Sequence, residues 1–493
     1  MGTDAKTIQK TLKIKLVPLS KRDKVLVHSL LSDYTNILMD ALNIVVKNNV
    51  RSRKKAHELC YRYLRERYPH LHNKYVEEAY KRALVVYRSY RKLLGKWMKY
   101  KRGNSPSPPS VDANRVVDLH IDTFRIEEKN SFKILRLSIG GGEYAKFIML
   151  VYDHVLRELS NGKVSNSKII VDRDALYLLL TIRKNVEVFE HRNKLVIDIN
   201  EDNVACLLVD YEKSKAIFFT ISYNIRRLRE NYRRIRRSIQ RKVDNIYERS
   251  RLLEKFGARE RYRVEDRVKK VTTVLVEIAR VNKADIVREN LRDMKMNGRK
   301  GSRKLNYRLQ TFPYRKMIFN LEYKAYERGL NVVEVDAKKT SITCPSCRYV
   351  DKENRNGDRF KRKKCGFEFN SHYVACLNLF SRLNGDGVAI RGGRIYVHLE
   401  AGSVVSVDVA PDDPATGEQV MREKPVSNIP MIFKTPKQTQ ISDAGNHSSS
   451  KISVWSRNHH FNMQCPLYLA NSMSFICNVL LRIPAIIDDG PPS

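Results

Sequence analysis

The sequence has little cysteine, few acidic residues and no long apolar run, and each shortage excludes a class of protein. Eight cysteines in 493 residues are too few for a disulfide-stapled scaffold. The N-terminal stretch MGTDAKTIQKTLKIKL lacks the apolar run of a secretory signal, and no segment reaches the ~18 consecutive apolar residues of a membrane span. We therefore expect a cytosolic protein.

The shortage of acidic residues leaves a large positive charge. Lysine and arginine number 93 against 54 acidic residues, which gives a formal net charge of +39. Hydrophobic residues make up 42% of the chain, enough for packed cores, so the sequence is not a disordered polycation. Such a charge favours a long polyanion as the partner, because each neutralised phosphate releases counterions. The composition therefore indicates a nucleic-acid-binding protein.

Residues 1–190 combine strand-like and helical patterns. The opening run KTLKIKLV has the alternation of a strand, and helical spacing follows from about residue 21 to residue 103. After the linker NSPSPPS, short β-like runs dominate from Arg115 to about Val188. We expect a small β-barrel or sheet domain that closes onto the first strand and carries a helical insertion.

A strand meander and a long basic helix follow this domain. From Asn193 the strand candidates KLVIDI, VACLLVD and KAIFFTIS are separated by the turn sequences NEDN and YEKS. An apolar stripe at helical spacing then runs from Ile225 to Val243, and the other faces of that helix carry almost only cations. A solvated helix face would normally mix both signs of charge, so we expect these side chains to bind a phosphate backbone. The candidates are Arg226, Arg227, Arg229, Arg233, Arg234, Arg236, Arg237, Arg241 and Lys242.

Two carboxylates stand at the ends of apolar strand patterns. Asp198 ends the run VID, and Glu289 ends the run IVRE. A carboxylate at a buried strand end is costly unless it is paired or binds a cation. Taken alone, each is more often a surface or capping residue, but together, in so basic a chain, they suggest a shared divalent metal site. Two metal ions ~4 Å apart can align a water and a leaving oxygen on a phosphodiester.

Three of the cysteines are close together in the sequence. Cys344 and Cys347 form a C-x-x-C knuckle, and Cys365 follows in the sequence CGF. A structural zinc ribbon uses two such knuckles, so that four thiolates close a tetrahedron. The position where the fourth cysteine belongs, three residues before Cys365, is Arg362. The pattern therefore predicts an incomplete zinc ribbon, with unliganded buried thiols as the alternative.

The order of these elements resembles the TnpB family, which comprises transposon-encoded, RNA-guided DNA endonucleases related to type V CRISPR effectors. The resemblance rests on VIDINEDNVA, IVRENLRDM, KKTSITCPSCRYVDKE and CGFEFNSHYVACLNL, and it spans about Leu195 to Leu379. It implies an α+β multidomain protein with an RNase H-like (RuvC-like) nuclease core.

The same resemblance gives the expected domain layout. Residues 1–190 would be a β-barrel wedge domain, with a helical recognition insertion at about 21–103. Residues 191–385 would be the RuvC-like nuclease domain, with a zinc-ribbon insertion at about 340–370. Residues 386–493 lose the family pattern, and their middle is rich in Pro, Ser, Thr, Asp and Asn, so we expect a largely disordered C-terminal tail.

The resemblance also implies roles for individual residues. Asp198 and Glu289 would be the first and second catalytic carboxylates and would hold Mg²⁺ or Mn²⁺. Cys344, Cys347 and Cys365 would be zinc ligands. The basic helices would hold a guide RNA and the heteroduplex that it forms with one strand of a double-stranded DNA target. Base pairing with the guide would select the target, while the protein contacts the nucleic-acid backbone. The protein would act in the prokaryotic cytosol, on the nucleoid, in transposition and DNA recombination.

Two positions depart from the family pattern. His372 stands where the family has a third catalytic aspartate, and Arg362 stands where it has a ribbon cysteine. An imidazole can bind a divalent ion, preferably one softer than Mg²⁺, but it brings no negative charge, so we expect impaired cleavage. His372 completing the zinc shell is a less favoured alternative.

Three functions therefore stay open. The first is an RNA-guided endonuclease that cuts slowly. The second is a nuclease-inactive, RNA-guided DNA-binding protein. The third and least favoured is a transposase that transfers DNA strands itself.

Overall fold

The computed structural model describes residues 3–100, 104–111, 114–172, 174–290, 302–384, 388–391, 394–398 and 404–409. These residues form two compact units. Those from 5 to 187 make up the N-terminal unit, and those from 188 onward, with residues 3–4, make up the C-terminal unit. None of the helices in the described ranges has both the length and the apolar character that crossing a membrane requires.

The N-terminal unit is built on one seven-stranded sheet. Its strands are β1 (Thr3–Pro18), β2 (Val116–Leu119), β3 (Phe124–Lys129), β4 (Phe132–Gly140), β5 (Glu143–Leu150), β6 (Lys163–Asp172) and β7 (Ala175–Phe189). Its helices are α1 (Lys21–Lys47), α2 (Arg53–Arg67), α3 (Asn73–Tyr100) and α4 (Asp153–Ser160). The strand order is β2-β6-β7-β1-β5-β4-β3.

Helices cover the apolar face of this sheet. The first helix begins at Ser20, whose hydroxyl accepts a hydrogen bond from the backbone N–H of Asp23. Phe147 of the sheet and Leu30 and Tyr75 of the helices belong to one buried apolar cluster. Because helices bury that face, the sheet does not need to close on itself. Its two edge strands, β2 and β3, pair with β6 and β4 but not with each other in the described residues, so the sheet is open there and does not form the β-barrel that was one of the two expectations.

The C-terminal unit contains an eight-stranded sheet and a small three-stranded sheet. Its elements in chain order are β8 (Asn193–Ile199), β9 (Asn203–Asp210), β10 (Lys215–Ser222), α5 (Ile225–Lys242), α6 (Ile246–Val281), β11 (Ala284–Asn290), α7 (Arg303–Thr311), α8 (Tyr314–Glu327), β12 (Val332–Asp336), β13 (Arg355–Asn356), β14 (Arg359–Lys361), β15 (Glu368–Asn370), α9 (Ser371–Asn384), β16 (Val388–Arg391), β17 (Arg394–His398) and β18 (Val404–Val409). The large sheet has the order β12-β11-β8-β9-β10-β18-β17-β16, and β13, β14 and β15 form the small one.

The predicted three-strand meander is confirmed. β8 pairs antiparallel with β9, and β9 pairs antiparallel with β10. β11 runs parallel to both β8 and β12. Side chains alternate between the two faces of the sheet, and each face has its own core. Leu195, Ile197 and Ile286 pack with residues of α5, α6 and α8, whereas Val196 and Val287 pack with residues of α9.

Three strands extend the large sheet past the predicted end of its domain. β18 pairs parallel with β10, with Val407 opposite Ala216, and β17 and β16 follow in antiparallel order. The expectation of a disordered tail from residue 386 is therefore wrong for these strands. Each strand is only four to six residues long, so its pattern of apolar residues is too short to predict a strand. Pairing with the rest of the sheet stabilises these strands instead. The rest of the predicted tail, including residues 410–493, lies outside the described residues.

Candidate active site

Two carboxylates lie on the same face of the large sheet. Because β8 and β11 are parallel neighbours, their carboxyl ends meet at one edge. Asp198 is two residues after Val196 and Glu289 is two residues after Val287, so both carboxylates share the face that carries α9. Asp198 is 7% exposed and Glu289 is half-buried. The sheet thus places two carboxyl groups near each other, largely shielded from water.

The environment of Glu289 favours its neutral form. Burial and the nearby charge of Asp198 raise the pKa of Glu289 to about 8. The Thr340 hydroxyl donates a hydrogen bond to Glu289 Oε1 at 3.0 Å and opposes that shift. Thr340 is held by α9, because Asn378 Nδ2 donates to the Thr340 carbonyl at 2.7 Å. A cation at this place would stabilise the charged form of both carboxylates.

His372, the third predicted residue of the centre, contacts Asp198 directly. It lies in the first turn of α9, where its backbone N–H donates to Asn370 Oδ1 at 2.9 Å. Its Nδ1 is 3.1 Å from Asp198 Oδ2, and its Nε2 is 3.2 Å from Asp358 Oδ1. Burial lowers the pKa of His372, but the hydrogen bond and charge of Asp198, together with the charge of Asp358, outweigh burial and raise the pKa.

Several residues that support this centre were not predicted from the sequence. Asn200 Nδ2 donates to Asp198 Oδ2 at 2.9 Å and helps to orient the carboxylate. Asn200, Thr340 and Asn378 all lie inside the quoted family motifs, which is the signal that could have identified them. Asp358 lies outside those motifs, and its contact with His372 depends on the tertiary placement of a hairpin.

The three cysteines of the predicted ribbon lie together. Their sulfur atoms are all within 4.8 Å of one another, and Cys344 Sγ is 3.6 Å from Cys365 Sγ. Burial raises the pKa of Cys344 to about 12. Burial also tends to raise the pKa of Cys347, but hydrogen bonds from the backbone of Tyr349, the other two thiols and Arg362 outweigh burial and lower it. Such a cluster could bind a metal ion such as zinc.

Arg362 contacts several side chains inside the predicted ribbon. Its guanidinium carbon is 4.0 Å from the centroid of the Tyr349 ring. Its Nη1 is 3.5 Å from Asn354 Oδ1 and 3.7 Å from Asp351 Oδ2. Its side chain is only 12% exposed. A partnered cation therefore stands where the ribbon pattern has a thiolate.

Three of the nine cations predicted on α5 form ion pairs with neighbouring carboxylates. Arg229 Nη1 is 3.2 Å from Glu260 Oε1, and Arg236 pairs with the same carboxylate of α6. Glu260 is 6% exposed. Arg226 Nε is 2.8 Å from Asp202 Oδ2. These pairs hold α5 against its neighbours, so the predicted phosphate-binding face is narrower than the sequence pattern suggested.

The remaining cations of α5 lie mainly on its solvent-facing side. Arg233 lies over the ring of Tyr307, 4.9 Å from its centroid, and Arg234 donates a hydrogen bond to Asn231. Four others are exposed and form no ion pair with a residue in the described ranges: Arg227, Arg237, Arg241 and Lys242. This surface carries an excess of positive charge that suits a polyanion.

Comparison with known proteins gives one family model and several curated relatives. Residues 314–379 match the model described as Cas12f1-like, TNB domain. The TnpB-like protein MJ0751 of Methanocaldococcus jannaschii is 30% identical over 230 residues, which are 46% of this chain and 81% of that protein. The CRISPR-associated endodeoxyribonuclease Cas12f1 of Sulfoacidibacillus thermotolerans is 38% identical over 72 residues, which are 14% of this chain and 17% of that protein.

The fold resembles a solved structure at much lower identity. The protein chain of a Cas12f1–sgRNA–target DNA complex, determined by cryo-EM, superposes with a TM-score of 0.50 and 13% identity, covering 76% of this chain and 98% of that one. At this identity the likeness concerns the fold alone. The curated relationship is stronger, because the match to MJ0751 covers 81% of that protein at 30% identity. The chain therefore belongs to the TnpB family.

Proposed function

We propose that this chain is an RNA-guided DNA endonuclease that cuts phosphodiesters with divalent metal ions. The observation that carries the proposal is that Asp198 and Glu289 lie on one face of the sheet at the carboxyl ends of two parallel strands, where His372 of α9 contacts Asp198. Membership of the TnpB family supports the same general activity. The core would be RuvC-like, with Asp198 and Glu289 as catalytic carboxylates and His372 in place of the third.

The donor set of this centre fits a divalent metal ion. Burial and the charge of Asp198 raise the pKa of Glu289, and a dication would relieve the repulsion between the two carboxylates. Asp198, Glu289 and His372 would hold the metal. Carboxylate oxygens suit Mg²⁺, whereas an imidazole nitrogen suits Mn²⁺ better. When bound, such an ion generates a nucleophile from water and stabilises the leaving oxygen.

The proposed partners are a guide RNA and a double-stranded DNA target. The Cas12f1 chain that shares this fold was solved with sgRNA and target DNA. The net charge of +39 suits both nucleic acids. Base pairing would read the target while exposed cations contact the backbone. Residues 1–190 would serve as wedge and recognition domain, and residues 191–385 as nuclease domain.

We expect the exposed cations of α5 to contribute to RNA binding. Replacing Arg237, Arg241 and Lys242 by alanine should reduce the slope of log affinity for the guide RNA against log salt by about two to three, because each neutralised phosphate contributes roughly one. Filter binding across a salt series measures that slope. The matched control replaces Arg229 and Arg236, which pair with Glu260, and should lower the melting temperature without changing the slope. Equal slopes for all three proteins would contradict the assignment.

We also propose zinc at Cys344, Cys347 and Cys365. The clustering of their sulfur atoms supports it. Three thiolates and one Zn²⁺ carry a net negative charge, which the Arg362 guanidinium beside Cys347 would offset. Elemental analysis should find about one zinc per chain and a loss in Cys347→Ser, whereas less than about half an equivalent would contradict the site.

The direct test of the function is guided cleavage of plasmid DNA. The native chain, purified with its RNA, should linearise a guide-matched plasmid faster in Mn²⁺ than in Mg²⁺, because one ligand is a nitrogen. A plasmid with a scrambled target is the control. Equal cleavage of the guide-matched and the scrambled plasmid would refute an RNA-guided activity.

A second candidate is a nuclease-inactive, RNA-guided DNA-binding protein. His372 favours it, because an imidazole engaged by Asp198 and Asp358 brings no negative charge to the centre. In that case the ribonucleoprotein would protect a guide-matched site from nuclease digestion and would cut it in neither metal. That combination of results would select the second candidate over the first.

A further inference from the structure

The His372 ring is contacted from two sides, and one contact comes from the ribbon. Asp198 faces Nδ1 and Asp358 faces Nε2, at 3.1 and 3.2 Å. Asp358 lies between β13 and β14, in a hairpin of the small sheet. Its side chain is 80% exposed, whereas that of His372 is 10% exposed. A surface carboxylate therefore reaches a buried imidazole.

We propose that Asp358 is a positioning residue that holds His372 as a nitrogen ligand of the metal ion. The inference rests on the proposed function of this centre. A neutral imidazole has one N–H and one lone pair, on different nitrogens. Metal-bound histidines almost always donate the second ring N–H to a carboxylate, a carbonyl or a water. With Nε2–H donated to Asp358, Nδ1 carries no proton, and its lone pair would bind the ion in place of the hydrogen bond to Asp198.

The distance between His372 Nδ1 and the Asp198 carboxylate suits two ligands of one metal ion. His372 Nδ1 and Asp198 Oδ2 are 3.1 Å apart. Neighbouring ligands of an octahedral ion with bonds of ~2.1 Å are separated by ~3.0 Å. The separation of these two atoms is therefore compatible with a shared ion. A nitrogen in this position shifts the metal preference from Mg²⁺ towards Mn²⁺.

The hairpin that carries Asp358 is anchored to α9. The backbone N–H of Ser371 donates to the Asp358 carbonyl at 2.7 Å, and the Ser371 hydroxyl donates to the Gly357 carbonyl at 3.2 Å. Gly357 has a φ of +60°, in the left-handed region that glycine adopts most readily, so this turn conformation favours glycine at that position. Asp358 and His372 thus belong to one hydrogen-bonded unit, in which the backbone sets the distance between them.

The test is the Mn²⁺ affinity of the ribonucleoprotein, measured by electron paramagnetic resonance of free Mn²⁺. An Asp198→Asn sample supplies the background of metal bound to RNA and to other sites. Asp358→Ala should weaken the Asp198-dependent site about 10- to 100-fold. Asp358→Asn should keep most of the affinity, because its amide oxygen still accepts from Nε2–H. Glu353→Ala removes another exposed carboxylate of the ribbon and should change nothing.

Two results would overturn the inference. One is an equal Mn²⁺ affinity for the native chain and Asp358→Ala. The other is an equally large loss from Asp358→Ala in a His372→Asp background, since Asp358 acts through the imidazole. A native chain that binds Mn²⁺ but does not cut would refute the endonuclease and leave the inference standing. A native chain without an Asp198-dependent Mn²⁺ site would refute both.

Discussion

Replacing Asp198 by asparagine is expected to slow guided DNA cleavage on the order of 1,000-fold, equivalent to about 4 kcal/mol of transition-state stabilisation. The substitution keeps the size of the side chain and an oxygen that can accept from Asn200 Nδ2, but it removes the charge that would bind the metal. Affinity for guide RNA should not change, because Asp198 is 7% exposed. Cleavage rates at saturating metal and RNA binding, measured on the same preparation, check both expectations.

The matched control for this substitution is Asp210→Asn. Asp210 is 5% exposed and ends the neighbouring strand β9, where it pairs with Lys213 at 2.9 Å. It follows Val209, which lies opposite Lys194 at the start of β8, so it is at the other edge of the sheet from Asp198. Cleavage should be unchanged in this variant. Native rates for Asp198→Asn would place the nuclease centre elsewhere, and equal losses in both variants would indicate general destabilisation.

Replacing His372 by aspartate is expected to raise cleavage in Mg²⁺ about 10- to 100-fold, with a smaller gain in Mn²⁺. An aspartate oxygen and a histidine Nδ1 are both attached to Cγ, so the new oxygen can take the position 3.1 Å from Asp198 Oδ2. The centre then gains a hard ligand and a negative charge, which suit Mg²⁺. Cleavage rates of the two proteins in each metal, with the same guide RNA, measure the gain.

The same substitution should make stability depend on metal. Without a cation, the new carboxylate repels Asp198 in a buried place, so the melting temperature of the variant should be lower than that of the native chain and should rise more steeply with Mg²⁺. His372→Asn is the control, because it offers a similar oxygen without the charge. If His372→Asn gained as much cleavage as His372→Asp, charge would not be the deficiency of the native centre.

The elements around the centre could be predicted because their signals are local. A short run of consecutive apolar residues, 195–197, marks β8, and a carboxylate at its end stands out against them, as Glu289 does at the end of β11. The C-x-x-C spacing likewise indicates that Cys344 and Cys347 are neighbours in space, and their sulfur atoms lie within 4.8 Å of each other. The position of each of these residues follows from the geometry of a single strand, a single turn or a single pair of neighbouring strands.

The contacts that could not be predicted depend on distant parts of the chain. The sequence shows that Arg229 and Arg236 lie on a basic helix, but not that Glu260 of the next helix faces them. Asp358 has no periodicity or motif that connects it with His372, because a hairpin turn brings the two together. The strands after residue 386 are too short to be recognised without the sheet that they join.

The alternation of side chains along β8 also limits which insertions and deletions the strand can absorb. One extra residue before Asp198 would turn its carboxylate to the face where Ile197 now packs with α5, α6 and α8, and would bring an isoleucine to the face of α9. Two extra residues would restore the face but would shift the carboxylate about 6.6 Å along the strand. Changes of length inside β8 before Asp198 should therefore be as damaging as loss of the carboxylate itself, whereas the turns that flank the strand can accept insertions and deletions.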